Sequence, residues 1–277
     1  MGSLGVALLK KTNRFFKPKP HPFNLQNDGV QTYAQWQFDK GENTLDFYKK
    51  HTPAEEMFRD KIVLDIGCGA GGKTIYYGTL GVKAIYGLDV LGKYRQEAQA
   101  LAEAKGLGEK FHFVEGDAAE TLFADNTFDT ILVNDAMEHV KAPGKVLEEA
   151  YRILKPGGCL YVNFPPYDHP YGAHLSDAIY IPWVHRFFRE STLIMAYREL
   201  VRDLPDGEER LAFRVGKDEK GRECISYINK MTVKWFKRLI SESDFKTVYF
   251  EVVHFSSILS KLPVARHFLV RMVVAVL

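Results

Sequence analysis

The chain has 277 residues, 46% hydrophobic and 26% charged, which is an ordinary balance for a globular protein with a sizeable core. Its formal net charge is +2 and its basic residues are dispersed. This argues against nucleic acid as a partner, because a nucleic-acid footprint needs a concentrated basic face. Three cysteines without a C-x-x-C pair argue against a disulfide framework or a zinc cluster and favour a reducing, cytoplasmic location.

The chain begins with an arm that precedes the first clear strand pattern. A short apolar run at 4–9 is followed by a basic stretch at 10–19. A signal peptide has these features in the opposite order, and the run is too short to span a bilayer. We interpret the arm as docked on its own domain, with weak contact with a membrane surface as the alternative.

Short apolar runs alternate with helix-like segments from residue 61 to residue 163. In chain order the five predicted strands are 62–66, 84–88, 111–114, 130–133 and 160–162, and the clearest helices are 93–105 and 143–154. This alternation predicts an α/β fold with a doubly wound, mostly parallel sheet. Ligands of such sheets bind outside the carboxyl ends of the strands, so the residues that follow each strand are the candidate site.

The alternation stops after the fifth predicted strand. Residues 164–230 are rich in aromatic residues and histidine, and become strongly charged from 203 to 223. We predict that they form a substrate-binding lid, whose aromatic half walls the acceptor pocket while the charged half stays outside. Tyr167, Tyr171 and Trp183 are the candidate substrate-binding residues. Residues 231–277 are predicted to add a helix and two strands, 247–253 and 268–276, that complete the core.

The loop 65–74 matches three ligand-binding patterns at once. Its glycines fit the dinucleotide fingerprint G-x-G-x-x-G, and the segment Gly67–Thr74 also fits the triphosphate loop G-x-x-x-x-G-K-[ST]. Its third match is D-x-G-x-G-x-G, the pattern of S-adenosylmethionine sites. Asp65 separates the three, because a carboxylate at the strand end repels phosphates but attracts an ammonium and a sulfonium group. Lys73 and Thr74 are then interpreted as a solvated first helical turn.

Two further strand ends carry acidic residues. Asp89 ends the second strand, near the spacing at which an acidic residue accepts hydrogen bonds from ribose hydroxyls. Asp117 follows the third strand, where it can accept a hydrogen bond from an adenine amino group. No apolar run ends in a convincing magnesium-binding aspartate, since Asn134 interrupts the best candidate. These observations favour an adenosyl ligand over a nucleoside triphosphate.

Taken in order, the segments 63–71, 116–118, 128–140 and 152–158, together with Asp89, resemble the class I S-adenosylmethionine-dependent methyltransferases, especially the small-molecule branch. The resemblance implies a seven-stranded sheet whose last strand, 268–276, runs antiparallel. It implies four regions: an N-terminal arm and cofactor-covering segment (1–60), a cofactor-binding core (61–163), a lid inserted after the fifth strand (164–230) and the closing elements of the core (231–277).

The resemblance also implies which residues bind the cofactor. Asp65 and the glycines are expected to hold its methionine part, Asp89 its ribose, and Asp117 with Ala118 its adenine. The full expected set is Tyr33, Phe38, Asp65, Gly67, Cys68, Gly69, Gly71, Asp89, Val90, Asp117, Ala118 and Asn134.

Methyl transfer is an in-line displacement, so the enzyme must align the acceptor and, for a hydroxyl, remove its proton. His139 is the first candidate base because histidine titrates near neutrality, and His174 and His185 are the alternatives. We expect no metal, since the spacing of the histidines fits no standard zinc pattern. The predicted acceptor is a small molecule of apolar or aromatic character, preferably an oxygen nucleophile, and the by-product is S-adenosylhomocysteine. A phosphate-binding enzyme and a non-catalytic cofactor-binding module are the alternatives.

Overall fold

A computed structural model describes residues 2–18, 31–256 and 258–277. The chain forms two compact units. The first, here called the core unit, comprises Gln31–Phe164, Val233–Val253 and Met272–Leu277. The second, the accessory unit, comprises the described residues of Met1–Val30 together with Pro165–Thr232 and His254–Arg271. Each unit is described separately below.

The described elements are as follows. The strands are β1 (Ile62–Ile66), β2 (Ala84–Asp89), β3 (Phe111–Glu115), β4 (Phe128–Asn134), β5 (Leu154–Phe164), β6 (Val215–Lys217), β7 (Glu223–Ile225), β8 (Tyr249–His254) and β9 (Val270–Val276). The helices are α1 (Gly2–Asn13), α2 (Tyr33–Asp39), α3 (Gly41–Leu45), α4 (Ala54–Phe58), α5 (Gly72–Gly78), α6 (Arg95–Ala104), α7 (Pro143–Ile153), α8 (Val184–Phe187), α9 (Glu190–Val201), α10 (Gly207–Arg214), α11 (Val233–Glu242) and α12 (Pro263–Phe268). Two 3-10 turns lie at Gly92–Tyr94 and Leu259–Lys261.

The core unit is built on a seven-stranded sheet with the order β3-β2-β1-β4-β5-β9-β8. Strands β1 to β5 are mutually parallel, and β9 runs antiparallel to β5, with Tyr161 opposite Val276. The predicted α/β fold with an antiparallel last strand is therefore confirmed. The central strand β1 is buried along almost its whole length, as expected where helices cover both faces of a parallel sheet.

The apolar side chains of the helices follow helical periodicity. Helix α7 begins with Pro143, whose fixed φ suits a first turn, and buries Val146, Leu147, Ala150 and Ile153 on one face. Burying this stripe is the main reason that a segment of eleven residues is helical here, because a helix of this length is marginal by itself.

Several predicted boundaries differ from the observed ones, and two of these differences have a clear physical reason. Strand β5 begins at Leu154, so residues 155–158 belong to a long strand instead of only ending a helix. The pairing with β4 shifts register between Phe128 and Thr130, and Gly157 has a φ of +79°, so the extra residues are accommodated as an irregularity. The predicted strand at 268–276 begins at Val270, because Phe268 still belongs to α12.

The accessory unit groups the N-terminal arm with the insertion. Helix α1 packs against α9, and Val6 and Leu9 are buried in the same cluster as Leu193 and Tyr197. Within residues 1–60, α1 packs in the accessory unit, while α2, α3 and α4 belong to the core unit. None of the helices in the described ranges combines the length and apolarity needed to span a bilayer.

The charged half of the insertion is partly buried, against prediction. Arg210 and Arg214 of α10 are 2% and 3% exposed. Both guanidinium groups pair with the carboxylate of Asp177, at 3.4 Å and 3.1 Å, and Tyr197 donates a hydrogen bond to the same carboxylate. Burial of these charges is tolerated because each one has a partner of opposite sign.

Candidate functional site

The glycine loop between β1 and α5 can be built only from residues without a side chain at its key positions. Gly67, Gly69 and Gly71 have φ values of +75°, +56° and +76°, a region that strains other residues. A Cβ on Gly67 would lie 2.4 Å from the Cβ of Ala136, so a side chain there would also clash. The loop is therefore a cradle of open backbone at the carboxyl end of β1.

Asp65 lies at the end of β1 and is buried. Its Oδ2 accepts a hydrogen bond of 2.6 Å from the hydroxyl of Thr74. Burial raises the pKa of the Asp65 carboxyl to about 7, while the bond from Thr74 acts in the opposite direction. An ionised carboxylate in this position would be stabilised by a cationic ligand.

The interpretation of Lys73 and Thr74 as a solvated helical turn was wrong. Thr74 is completely buried and holds Asp65, and the ammonium of Lys73 lies 2.5 Å from Oδ2 of Asp135. The side chain of Lys73 is only 14% exposed. In a triphosphate loop the lysine reaches the phosphates, whereas this one is paired with a carboxylate from the loop after β4.

Acidic and apolar groups from the ends of β2 and β3 come together as predicted. The two carboxylate oxygens of Asp89 accept hydrogen bonds from the backbone N–H groups of Gly69 (2.7 Å) and Leu91 (2.9 Å), which fix the carboxylate beside the glycine loop. The side chain of Val90 is exposed next to it. The backbone N–H of Gly116 donates to the carbonyl of Asp89, and this bond brings the β3 end alongside.

The adenine candidates Asp117 and Ala118 lie in the turn that follows β3. Oδ1 of Asp117 accepts a hydrogen bond of 2.9 Å from the backbone N–H of Ala119, and Ala118 is buried. The exposed carboxylate of Asp117 is therefore held in a defined orientation at the same edge of the sheet as Asp89.

Helix α2 lies directly on the glycine loop, through a residue that the sequence analysis missed. The side-chain amide of Gln37 donates to the carbonyl of Cys68 (3.3 Å) and accepts from the N–H of Gly72 (3.2 Å). A Cβ on Gly72 would lie 1.9 Å from the carbonyl oxygen of Ala34, so glycine is required for this contact. The sequence signal was the second of two consecutive glycines, at a position where an ordinary helix needs none.

The two aromatic residues expected over the cofactor lie in different places. The ring of Tyr33 lies within 3.6 Å of the position that a Cβ on Gly69 would occupy, beside the loop as expected. Phe38 is partly buried against the hydrophobic core of the unit, edge-on to Tyr76 and under the ammonium of Lys105. The roles of both rings toward the cofactor stay predictions.

A buried network of polar side chains lies at the ends of β4 and β5. Tyr48 donates to Oδ1 of Asn134 (2.7 Å), and the amide nitrogen of Asn163 donates to both the Tyr48 hydroxyl (2.9 Å) and Asn134 Oδ1 (2.7 Å). Asn134 in turn donates to the hydroxyl of Tyr77 (3.3 Å). The side chain of Asn134 is thus engaged inside the core unit, and its role toward the cofactor stays a prediction.

Glu138 and His139 follow β4, in the loop that begins with Asp135. Nε2 of His139 lies 3.6 Å from Oε1 of Glu138, and the imidazole is 22% exposed. Neither carboxylate oxygen of Glu138 has a hydrogen-bond partner among the described residues, and burial raises the pKa of this carboxyl well above its ordinary value. The sheet edge thus carries a partly exposed histidine beside a buried carboxyl group. The catalytic role of His139 stays a prediction.

The other two candidate bases belong to the accessory unit. The ring of His185 packs 4.6 Å from that of Tyr167, and burial lowers the pKa of His185 to about 4. A histidine of that pKa is neutral at pH 7 and is a weaker base than an ordinary one. His174 has a φ of +52°, and its ring centre lies 6.4 Å from that of Tyr227. Their catalytic roles stay predictions.

The three candidate substrate-binding aromatics also belong to the accessory unit. Tyr167 and Tyr171 occur in a stretch of turns, and the backbone N–H of Tyr171 donates to Nδ1 of His169 (2.9 Å). The indole N–H of Trp183 donates to the carbonyl of Phe268 (2.9 Å). These contacts are internal to the unit, and the roles of the three residues toward an acceptor stay predictions.

The acidic residues at this edge of the sheet suit a cationic adenosyl ligand. Asp65, Asp89 and Asp135 all lie around the glycine loop, where Lys73 is paired with Asp135. The loop itself offers an open backbone at the start of α5, which can receive a carboxylate. S-adenosylmethionine carries an ammonium, a sulfonium and a carboxylate, so these residues fit its charges.

Comparisons with known proteins find the same kind of similarity over part of the chain. A methyltransferase domain model matches residues 64–162. The chain is 38% identical over 102 residues to a sterol 24-C-methyltransferase of Pneumocystis carinii, covering 37% of this chain and 27% of that protein. It is 35% identical over 109 residues to norajmaline N-methyltransferase of Rauvolfia serpentina, covering 38% and 36%. The chain thus spans roughly a quarter to a third of the length of these relatives.

The fold is also that of a solved structure. An S-adenosylmethionine-dependent methyltransferase from Mesorhizobium loti matches with a TM-score of 0.52 and 14% identity, covering 90% of this chain and 98% of that one. The family match lies on the segment that holds the glycine loop, Asp89, Asp117 and the loop after β4. Over residues 64–162 the chain is therefore similar to the S-adenosylmethionine-dependent methyltransferases, and its seven-stranded sheet has their fold.

Proposed function

We propose that this protein is an enzyme that transfers a methyl group from S-adenosylmethionine to a small-molecule acceptor by in-line displacement, leaving S-adenosylhomocysteine. The observation that carries the proposal is the pairing of the glycine loop with a buried carboxyl, Asp65, while Lys73 is tied to Asp135. Such a loop attracts the charges of the methionine part and has no free lysine to offer a phosphate. This counts against the phosphate-binding alternative.

Each group of residues has a distinct task in this mechanism. The bound cofactor supplies an electrophilic methyl group on a good leaving group. Asp65 and the glycine loop hold the methionine part, Asp89 accepts hydrogen bonds from the ribose hydroxyls, and Asp117 with Ala118 binds the adenine. The protein then has to align the nucleophilic atom of the acceptor with the methyl group and exclude unproductive orientations. Most of the rate acceleration arises from this alignment.

We propose an oxygen nucleophile as the acceptor, with His139 as the base that removes its proton. The partly exposed imidazole and its carboxyl neighbour Glu138 support this role, because the carboxyl group can orient the ring. The names of these two relatives specify carbon and nitrogen as the methylated atoms, so the choice of oxygen rests on the histidine. We propose an apolar or aromatic acceptor, bound by Tyr167, Tyr171 and Trp183 of the lid.

Location and surface contacts belong to the same proposal. The three cysteines are free, in line with a cytoplasmic location. Weak contact of the arm with a membrane surface remains a proposal, supported by the exposed side chains of Leu4 and Leu8 on the face of α1 that does not pack on α9.

Binding and turnover test the proposed function. Calorimetry should detect binding of S-adenosylmethionine and none of ATP with magnesium, and Asp89→Ala should weaken binding by about 1–3 kcal/mol because it removes a charged acceptor. Asp244→Ala, an exposed aspartate of the core unit, is the matched control and should bind like the wild type. Mass spectrometry of small-molecule pools incubated with the cofactor then identifies the methylated acceptor. Binding of ATP alone would support the phosphate-loop alternative, and cofactor binding without any turnover would support the non-catalytic one.

A further inference from the structure

The accessory unit exposes large apolar side chains on helix α8 and near the 3-10 turn Leu259–Lys261. Phe187 of α8 is 72% exposed, and Ile258 and Leu262, on either side of the 3-10 turn Leu259–Lys261, are 76% and 58% exposed. Phe255 and Phe268 are exposed as well. We call these five residues the apolar surface. Single exposed apolar residues are common in soluble proteins, but a group of five on neighbouring elements needs an explanation.

Contacts within the unit place these residues on one connected region. The ring of Phe268 lies 6.3 Å from that of Trp183 and 5.0 Å from the guanidinium of Arg186, directly before Phe187. The indole N–H of Trp183 donates to the carbonyl of Phe268, and the N–H of Phe255 donates to the carbonyl of Leu269. The 3-10 turn also contacts α12. The segment 255–268 and helix α8 therefore belong to one region of the surface.

The charged residues of the segment 252–277 are all basic. This segment contains Lys261, Arg266 and Arg271 and no aspartate or glutamate. Lys261 and Arg266 are exposed among the apolar side chains, whereas Arg186 of α8 is paired with Asp168. Protruding apolar side chains interspersed with cations match the interface of an anionic bilayer, where the former enter the acyl boundary and the latter meet the headgroups.

We propose that the apolar surface docks the protein on an anionic lipid bilayer. An acidic protein would complement the same charges. However, Ile258, Leu262 and Phe187 each expose more than half of their side chains, so they protrude instead of lining a groove. A fluid bilayer accommodates separate protruding side chains without a complementary shape, whereas a folded partner needs matching pockets for them.

Vesicle flotation of the full chain tests the proposal. We expect binding to phosphatidylcholine vesicles that contain phosphatidylserine, much weaker binding to phosphatidylcholine alone, and release by high salt. The double variant Ile258→Glu, Leu262→Glu should abolish binding. Reversing the charges of Lys261 and Arg266 to glutamate should lower the partition coefficient for the anionic vesicles by about tenfold or more.

The matched control is Leu122→Glu, which introduces the same charge at a fully exposed leucine of the core unit and should bind vesicles like the wild type. Circular dichroism and cofactor calorimetry show whether each variant is folded. Equal binding of the wild type to neutral and anionic vesicles, or its failure to bind either, overturns the proposal. So does full binding by the folded double variant, or loss of binding only on Leu8→Glu, which would move the contact to α1.

Discussion

Binding of S-adenosylmethionine should depend on pH through Asp65. Burial raises the pKa of this carboxyl to about 7 in the ligand-free protein, against an ordinary value of 3.8. A cationic ligand prefers the ionised carboxylate, so any protein that carries the proton must release it when the ligand binds. Affinity should therefore rise with pH through 7 and level off above about pH 8.

The expected size of the effect follows from the pKa. With a value of about 7, roughly nine in ten molecules carry the proton at pH 6 and roughly one in ten at pH 8, so the apparent affinity should be about tenfold lower at pH 6. Calorimetry in buffers of different ionisation enthalpy measures the proton directly. We expect release of about one proton per cofactor at pH 6 and close to none at pH 8.

Two variants identify the titrating group. Thr74→Val keeps the shape of the buried side chain but removes the hydrogen bond that lowers the pKa of Asp65. Its affinity should therefore drop at pH 7 and approach the wild-type value at pH 9. Asp65→Asn should bind weakly with little pH dependence. A wild-type affinity that is constant from pH 6 to pH 8, with no proton released, would refute the assignment of a raised pKa to Asp65.

Three other substitutions test the core unit. Gly72→Ala places a methyl group against the backbone of α2, so it should lower the free energy of unfolding by about 1–3 kcal/mol and weaken cofactor binding. Gly144→Ala, in the first turn of α7, is the control and should do neither. Urea titration measures the stability and calorimetry the cofactor affinity of both variants. Tyr48→Phe removes the hydroxyl that bonds to the side chains of both Asn134 and Asn163 and should cost about 1–3 kcal/mol of stability in the same titration, and no loss would contradict the network. His139→Ala should lower turnover of an oxygen acceptor by about a hundredfold or more without changing cofactor affinity, and normal turnover would remove His139 from the mechanism.

Sequence patterns predicted the parts of the fold that depend on short segments. The five parallel strands follow from short apolar runs, and the loop at Gly67, Gly69 and Gly71 follows from backbone angles that only glycine adopts freely. In a parallel sheet, the end of each strand lies at the same edge. The positions of Asp65 and Asp89 beside the loop could therefore be predicted without knowing any contact.

The contacts that hold the site in place could not be predicted in this way. Gln37 bonds to the carbonyl of Cys68, 31 residues further along the chain, and Tyr48 bonds to Asn134, 86 residues away. Nothing in their local sequence distinguishes Gln37 and Tyr48 from other glutamines and tyrosines of the chain. The only local clue was Gly72, whose missing side chain shows that another part of the chain approaches closely but not which one.

The buried arginines of the accessory unit show that the charge content of a segment does not by itself predict whether its side chains are exposed. A stretch rich in charge is expected outside, because burying an unpaired guanidinium costs several kcal/mol. Arg210 and Arg214 are nevertheless buried, since Asp177 pairs with both of them from a segment 33 and 37 residues earlier in the sequence. The cost of burial therefore depends on the partner, and not on the charge alone. Asp65 obeys the same rule: its partner Thr74 is neutral, so its carboxyl keeps a raised pKa until a cation binds.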